Sequence, residues 1–262
     1  MPAARHICAR LGVAALVGLA PAAVGIAHAD HDMAAMSDHD SDLSLGVSVE
    51  AAAFDTAFYV GSYQGIMPVV EAAHGRLGAS VTMPLYHLTE NGLGRYGIGD
   101  AALGAMATVV DRDTLHAGAA LHLMLPTGSE LDNFGMGHVM AMPSAWASWR
   151  GAALRLAASA GYARALTGLG GAHNHGPAPL VDPMNMQELT WSVAADIDVG
   201  HGVQLGGRAR GAVPIGTGQT RAIAGGRVAW GTARITTGVE LQVGLVGDPF
   251  TIRGVLDTAL RF

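Results

Sequence analysis

Residues 251–262 read Thr-Ile-Arg-Gly-Val-Leu-Asp-Thr-Ala-Leu-Arg-Phe. Ile252, Leu256, Leu260 and Phe262 fall on one side of a period-two pattern. Arg253, Asp257 and Arg261 fall on the other. Such alternation marks a strand with one apolar and one polar face. Two architectures bury an apolar face of this kind: a soluble sheet packed on its own core, or a barrel strand with lipid outside. Thr258 and Gly254 interrupt the apolar side, so the rest of the chain must separate the two.

Composition favours the second. Half of the 262 residues are hydrophobic, only 14% are charged, and 37 are Gly. An ordinary soluble domain carries about a quarter charged residues. All 15 basic residues are Arg; there is no Lys. Residues 1–29 read as a secretory signal peptide: Arg5 and Arg10 open it, an apolar run follows, and Ala27-His28-Ala29 spells a cleavage site. Cleavage would remove Cys8, the only cysteine, and with it any disulfide or thiol chemistry. It would leave 13 Arg against 21 acids, a formal net charge of −8, which argues against nucleic acid as a partner. No later stretch is apolar for long enough to cross a membrane as a helix. Residues 30–42, Asp-His-Asp-Met-Ala-Ala-Met-Ser-Asp-His-Asp-Ser-Asp, read as a disordered acidic tail.

From Leu43 the period of two recurs to the end. Leu43, Leu45, Val47 and Val49 oppose Ser44, Gly46, Ser48 and Glu50; Leu77, Ala79, Val81 and Met83 repeat the pattern. Ala101 to Val109, Leu115 to Leu125, Leu189 to Val199 and Ile235 to Leu245 continue it. The segment 63–72 is the exception, because Pro68 lies inside it. Twelve strands result. Short turns at 73–75, 111–113, 150–151, 200–202 and 231–232 alternate with connections at 60–62, 87–96, 126–137, 165–186, 214–220 and 246–250. Short turns at one end and longer loops at the other describe an all-β, antiparallel up-and-down transmembrane barrel over residues 43–262. A soluble β-sandwich or small up-and-down barrel is the alternative, but a sandwich's polar face would carry Lys, Glu and Thr rather than Arg, Asp, Gly, Ser and His.

The Phe-terminated strand resembles the C-terminal strand of bacterial outer-membrane barrels, which the outer-membrane assembly machinery recognises. Gly97-Ile98-Gly99-Asp100 and Leu125-Pro126-Thr127-Gly128 add a resemblance to the outer-membrane transporters associated with phenol meta-pathway degradation. That likeness implies a transporter-type barrel in the outer-membrane lipid with Phe262 as its assembly signal. It does not imply a phenolic solute.

Gly92-x-Gly94-x-x-Gly97 spells a dinucleotide fingerprint but lies between strands with no helix after it. There is no P-loop Lys, no His-Glu-x-x-His and no Gly-x-Ser-x-Gly, so no enzyme is expected. Parity places Arg155, Arg208, Arg210, Arg227, Arg234, Arg253 and Arg261 on the inward face, with Glu50, Asp196, Asp198, Glu240 and Asp257. These form either a lumen-filling ion-pair network or an electrostatic filter. His and Met form a second pattern. His31, Met33, Met36 and His39 lie in the tail, and His173 and His175 lie in the longest loop. His116, His122 and Met124 share one strand face, and His138, Met140 and Met142 share that of its neighbour. Imidazole with thioether suits copper, and imidazole with carboxylate suits zinc or nickel; no other cofactor is expected. The leading expectation is a passive channel or transporter for small molecules. A barrel that handles Cu or Zn, and a plugged structural barrel, are the alternatives.

Overall fold

A computed structural model describes residues 41–55, 60–166, 184–247 and 250–262. The described residues form fourteen strands: β1 Ser41–Asp55, β2 Val60–His74, β3 Leu77–Thr82, β4 Leu85–Glu90, β5 Leu93–Ile98, β6 Ala101–Arg112, β7 Leu115–Leu125, β8 Met140–Arg150, β9 Leu154–Ala165, β10 Gln187–Gly200, β11 Val203–Pro214, β12 Arg221–Gly231, β13 Ile235–Val246 and β14 Ile252–Arg261. Each pairs antiparallel with its neighbours in one sheet, which β14 closes against β1 from Ser44↔Arg261 to Ala53↔Ile252. β1 in turn meets β2 at both ends, Ser41↔His74 and Asp55↔Val60. The sheet therefore closes into a barrel, in which β5 at the loop end is the one described strand paired on a single side; closure satisfies the wall's backbone polar groups from within, as a bilayer demands. Among the described residues no helix is long and apolar enough to cross a membrane.

Fourteen strands make twelve spans, because β3–β4 and β5–β6 are each one span in two pieces. β2 pairs with both β3 (Val69↔Thr82) and β4 (Ile66↔Leu85) in a single register. The interruption falls where Pro68 and Pro84 face the opposite strand without an N–H to donate. Pro68 is thus tolerated inside a full-length strand. On the other side, β3–β6 (Leu77↔Ala107) and β4–β5 (Leu85↔Ile98) differ in register by one residue. The extra residue is a bulge at Gly99-Asp100. It turns both residues into the interior, where Asp100 is 5% exposed.

The expected loop at 87–96 is not a loop. β4 and β5 run through it and reverse at Asn91-Gly92, both at positive φ (49° and 85°). Asn-Gly with this geometry is the preferred two-residue hairpin turn, and polarity masked it. Asn91 also lashes the tip to β2: Val60 N–H donates to its side chain (3.2 Å) and its own N–H donates to Val60 O (2.9 Å). Two further boundaries move. Val60 to Ser62 belong to β2 rather than to a turn, and Ser41 and Asp42 belong to β1 rather than to the tail. The remaining tail and residues 1–29 lie outside the described residues.

The outward face is as the alternation predicts. Leu45, Val47, Leu121, Val193, Val239, Leu241 and Leu260 are exposed and apolar. Trp149, Trp230 and Phe262 face outward near the turn end, and Tyr96 and Trp191 near the loop end. Aromatic residues at both rims of an apolar belt are the signature of a barrel spanning a membrane.

Candidate functional site

The bulge at Gly99-Asp100 and the segment Pro126-Thr127-Gly128 meet inside the barrel. Thr127 Oγ1 donates to Gly99 O (2.8 Å) and accepts Ala101 N–H (2.8 Å). The Asp100 carboxylate accepts Gly128 N–H (3.0 Å) and Met136 N–H (2.7 Å). Residues 126–139 thus leave β7, turn into the lumen and are held there by one buried carboxylate. Arg95 adds a third tether, donating from Nε to Asp132 O (2.9 Å) while its Nη2 pairs with Glu90 (2.5 Å). Glycine is required where the loop passes closest. A Cβ at Gly97 would collide with the Phe134 ring, and one at Gly135 with the Asp100 carboxylate. Two short motifs that looked independent in sequence are the two halves of one latch.

The latched loop separates two apolar clusters at the loop end of the lumen. Phe134 joins Phe54, Tyr63, Tyr86, Leu88, Ile223 and Phe250. Tyr63 and Tyr86 meet edge to face, 6.0 Å between centroids. On the other side, Met136 joins Met124, Met140 and Met184, with Ala102, Ala163 and Ala165, and Met142 and Met186 pack against them. The first cluster draws on β1, β2, β4, β12 and Phe250 ahead of β14, and the second on β6 to β9 and the residues before β10, so the loop reaches between two sides of the wall.

Next to the aromatic cluster lies a charged network. The Arg253 guanidinium stacks over Phe250 (4.4 Å) and donates to Gln242 Oε1 (2.7 Å) and Tyr63 Oη (3.2 Å). It faces Glu50 at 3.5 Å, both side chains being almost fully buried. Gln242 donates onward to Glu240 (2.5 Å). Towards the turn end Arg227 makes a two-point pair with Asp257 (2.5 and 2.7 Å), the fork geometry that arginine supplies and lysine cannot. Arg155 stands opposite Asp196 across the β9–β10 ladder. Arg208 and Arg210 face inward from β11, and Arg210 borders a cavity of about 70 Å³ with Arg221, Ser159 and Ser192.

Two predicted lumen residues are elsewhere. Arg234 is exposed in the turn between β12 and β13. Asp198 is exposed at the end of β10, where its carboxylate caps the turn by accepting Gly200 N–H (2.8 Å). Parity is correct for both, but each lies where the span has already left the membrane-facing wall. Conversely, Glu188 is fully buried and escaped notice. It pairs with Arg221 (2.8 and 2.9 Å) and accepts both Asn185 N–H (3.0 Å) and its side-chain amide (2.7 Å). Asn185 also bonds the backbone of Gln219 in both directions (3.0 Å each), so Glu188 ties two loop-end connections together.

The imidazoles are dispersed. His116 pairs with Asp111 at the turn end (2.9 Å). His122 lies six residues further along β7, about 20 Å away at the rise of a strand, and packs over Gly104 beside Ser80. The two do not form one site. His31, Met33, Met36, His39, His173 and His175 lie outside the described residues. Among the described residues no three His, Cys, Asp or Glu side chains are grouped to hold a metal ion.

No protein-family model matches this sequence, and no curated protein matches it. Solved structures do. An outer membrane channel from Pseudomonas putida F1 superimposes with a TM-score of 0.66 at 12% identity, covering 91% of this chain and 100% of that one. The KdgM porin gives 0.52 at 9% identity over 84% and 99%. The translocator domain of the autotransporter NalP from Neisseria meningitidis gives 0.53 at 10% identity over 89% and 90%. These likenesses establish the fold, a twelve-span barrel of the outer-membrane type, which serves more than one function. They support the resemblance read from the sequence at the level of the outer-membrane barrel fold; the phenol meta-pathway family itself is not established.

Proposed function

We propose that this chain is a non-enzymatic outer-membrane channel through which small molecules pass passively, its lumen narrowed by residues 126–139. The supporting observation is the latch. A barrel whose lumen served only as packing would need no loop drawn in from one end and tethered there by Thr127, Asp100 and Arg95. Two neighbours matched over almost their whole length, an outer membrane channel and a porin, agree with it. The narrowed zone combines aromatic rings and thioethers with a charged network beside them, which suits small solutes of modest polarity. The purified protein in a planar bilayer should give discrete single-channel steps. A folded, inserted barrel that never conducts would instead leave the plugged structural barrel as the reading.

We further propose that Phe262 is the assembly signal. It is 67% exposed on the outward face, just past β14, and its N–H bonds Leu43 O (3.0 Å) across the closing seam. A chain lacking Phe262 should accumulate outside the outer membrane at several times the wild-type fraction. Normal insertion, judged by the unboiled gel mobility of membrane fractions, would remove that role.

A further inference from the structure

The two apolar clusters divided by the loop differ in kind. The first is built from Phe, Tyr, Leu, Ile and Ala, with the buried Met67 at its margin, where its sulfur accepts from Tyr86 Oη (3.8 Å). The second contains only Met and Ala. Met124, Met136, Met140 and Met184 are buried, and Met142 and Met186 pack against them. Six methionines in one patch, without a single Leu, Ile, Val or Phe among them, is not what filling space requires. The chain uses those residues freely on its outward face, and they specify a packed surface better than flexible methionine does.

Register supplies the second observation. Across the β7–β8 ladder Met124 stands directly opposite Met140, and His122 directly opposite Met142. All four face inward. The latched loop then brings Met136 to the same patch, and His138, fully buried, follows two residues later. Two strands, the loop and the segment before β10 therefore bring six methionine side chains into one packed cluster at the loop end of the lumen.

Thioether sulfur is a neutral, soft donor. It binds Cu(I) and Ag(I) and has little affinity for Zn(II), Mg(II) or Ca(II). A charged-ligand site for a hard cation is a different arrangement, and none is grouped among the described residues. We infer that Met124, Met136 and Met140 form a binding site for a soft monovalent cation, Cu(I) or Ag(I), with Met142 and Met184 around it and His122 one row below. Oxygen-ligated and imidazole-only metals do not fit it.

The test reads binding rather than conduction, so its failure leaves the channel proposal standing. The protein is full length with Met33→Leu and Met36→Leu, which removes the tail thioethers. Ag(I), and Cu(I) kept reduced under anaerobic conditions, are titrated into it in detergent, with and without M124L/M136L/M140L. Leu for Met conserves volume and packing, and retention of the unboiled gel mobility reports the folded barrel. The triple variant should bind Ag(I) at least tenfold more weakly, with Zn(II) binding unchanged. Equal Ag(I) binding by both proteins overturns the inference. X-ray absorption on the Cu(I)-loaded protein with Met124, Met136 and Met140 intact adds a measurement that needs no folded triple variant. Sulfur neighbours are expected, and a shell of nitrogen and oxygen alone overturns the site.

Discussion

Asp100→Ala should open the channel. The substitution leaves Gly128 N–H and Met136 N–H without the carboxylate that accepts both. Hydrogen bonds to a charged group contribute about 1.5–3 kcal/mol each. Losing two therefore shifts the equilibrium between latched and released loop by about 3 kcal/mol or more, roughly two orders of magnitude. Thr127 and Arg95 still hold the loop at its start and middle, so release is partial in the single variant and larger in D100A/T127V. Mean single-channel conductance should rise several-fold, and proteases added to intact cells or vesicles should cut within residues 126–139. D100N keeps one acceptor oxygen and should fall between. Wild-type conductance together with wild-type protection in D100A would sink the latch.

Arg253→Met should weaken the barrel itself. Arg253 and Arg210 both act on Glu50, which is 2% exposed, and Arg253 links Glu50, Gln242 and Tyr63. Removing one partner of a buried pair costs about 3–5 kcal/mol where the other charge is left uncompensated; Arg210 still acts on Glu50, so the loss here is smaller. The temperature at which the unboiled gel band converts to the unfolded mobility should drop markedly. E50Q/R253M should recover most of the loss, because the stranded charge goes with its partner. A single variant as heat-resistant as wild type would mean that the network fills space without supporting the wall. Arg234→Met, by contrast, should change little, since Arg234 is exposed in a turn.

The contrast between Arg253 and Arg234 shows where sequence reading ends. Both have inward parity, and parity is local: successive side chains on a strand point to opposite faces whatever lies beyond. What parity cannot report is height along the barrel, and height separates a buried network from a wet turn. The same limit applies to the histidines. His116 and His122 share a face of β7, yet one closes a turn with Asp111 and the other packs over Gly104. The error at residues 87–96 had another cause. His87, Thr89, Glu90 and Asn91 looked like a polar loop, while the hairpin signal Asn91-Gly92 lay inside it.

By itself the sequence determined the number of spans, the alternation of turn and loop ends, and the outward face from Leu43 to Phe262. A period of two is a property of the extended backbone, and a lipid belt requires it on every span. Only the tertiary structure decided which inward residues meet. Closing twelve spans sets one register for all of them, and register brings Met124 opposite Met140 and draws Arg253 to Tyr63. It also joins Asp100 to the loop after Thr127. Those contacts span tens to nearly two hundred residues, and no local pattern carries them.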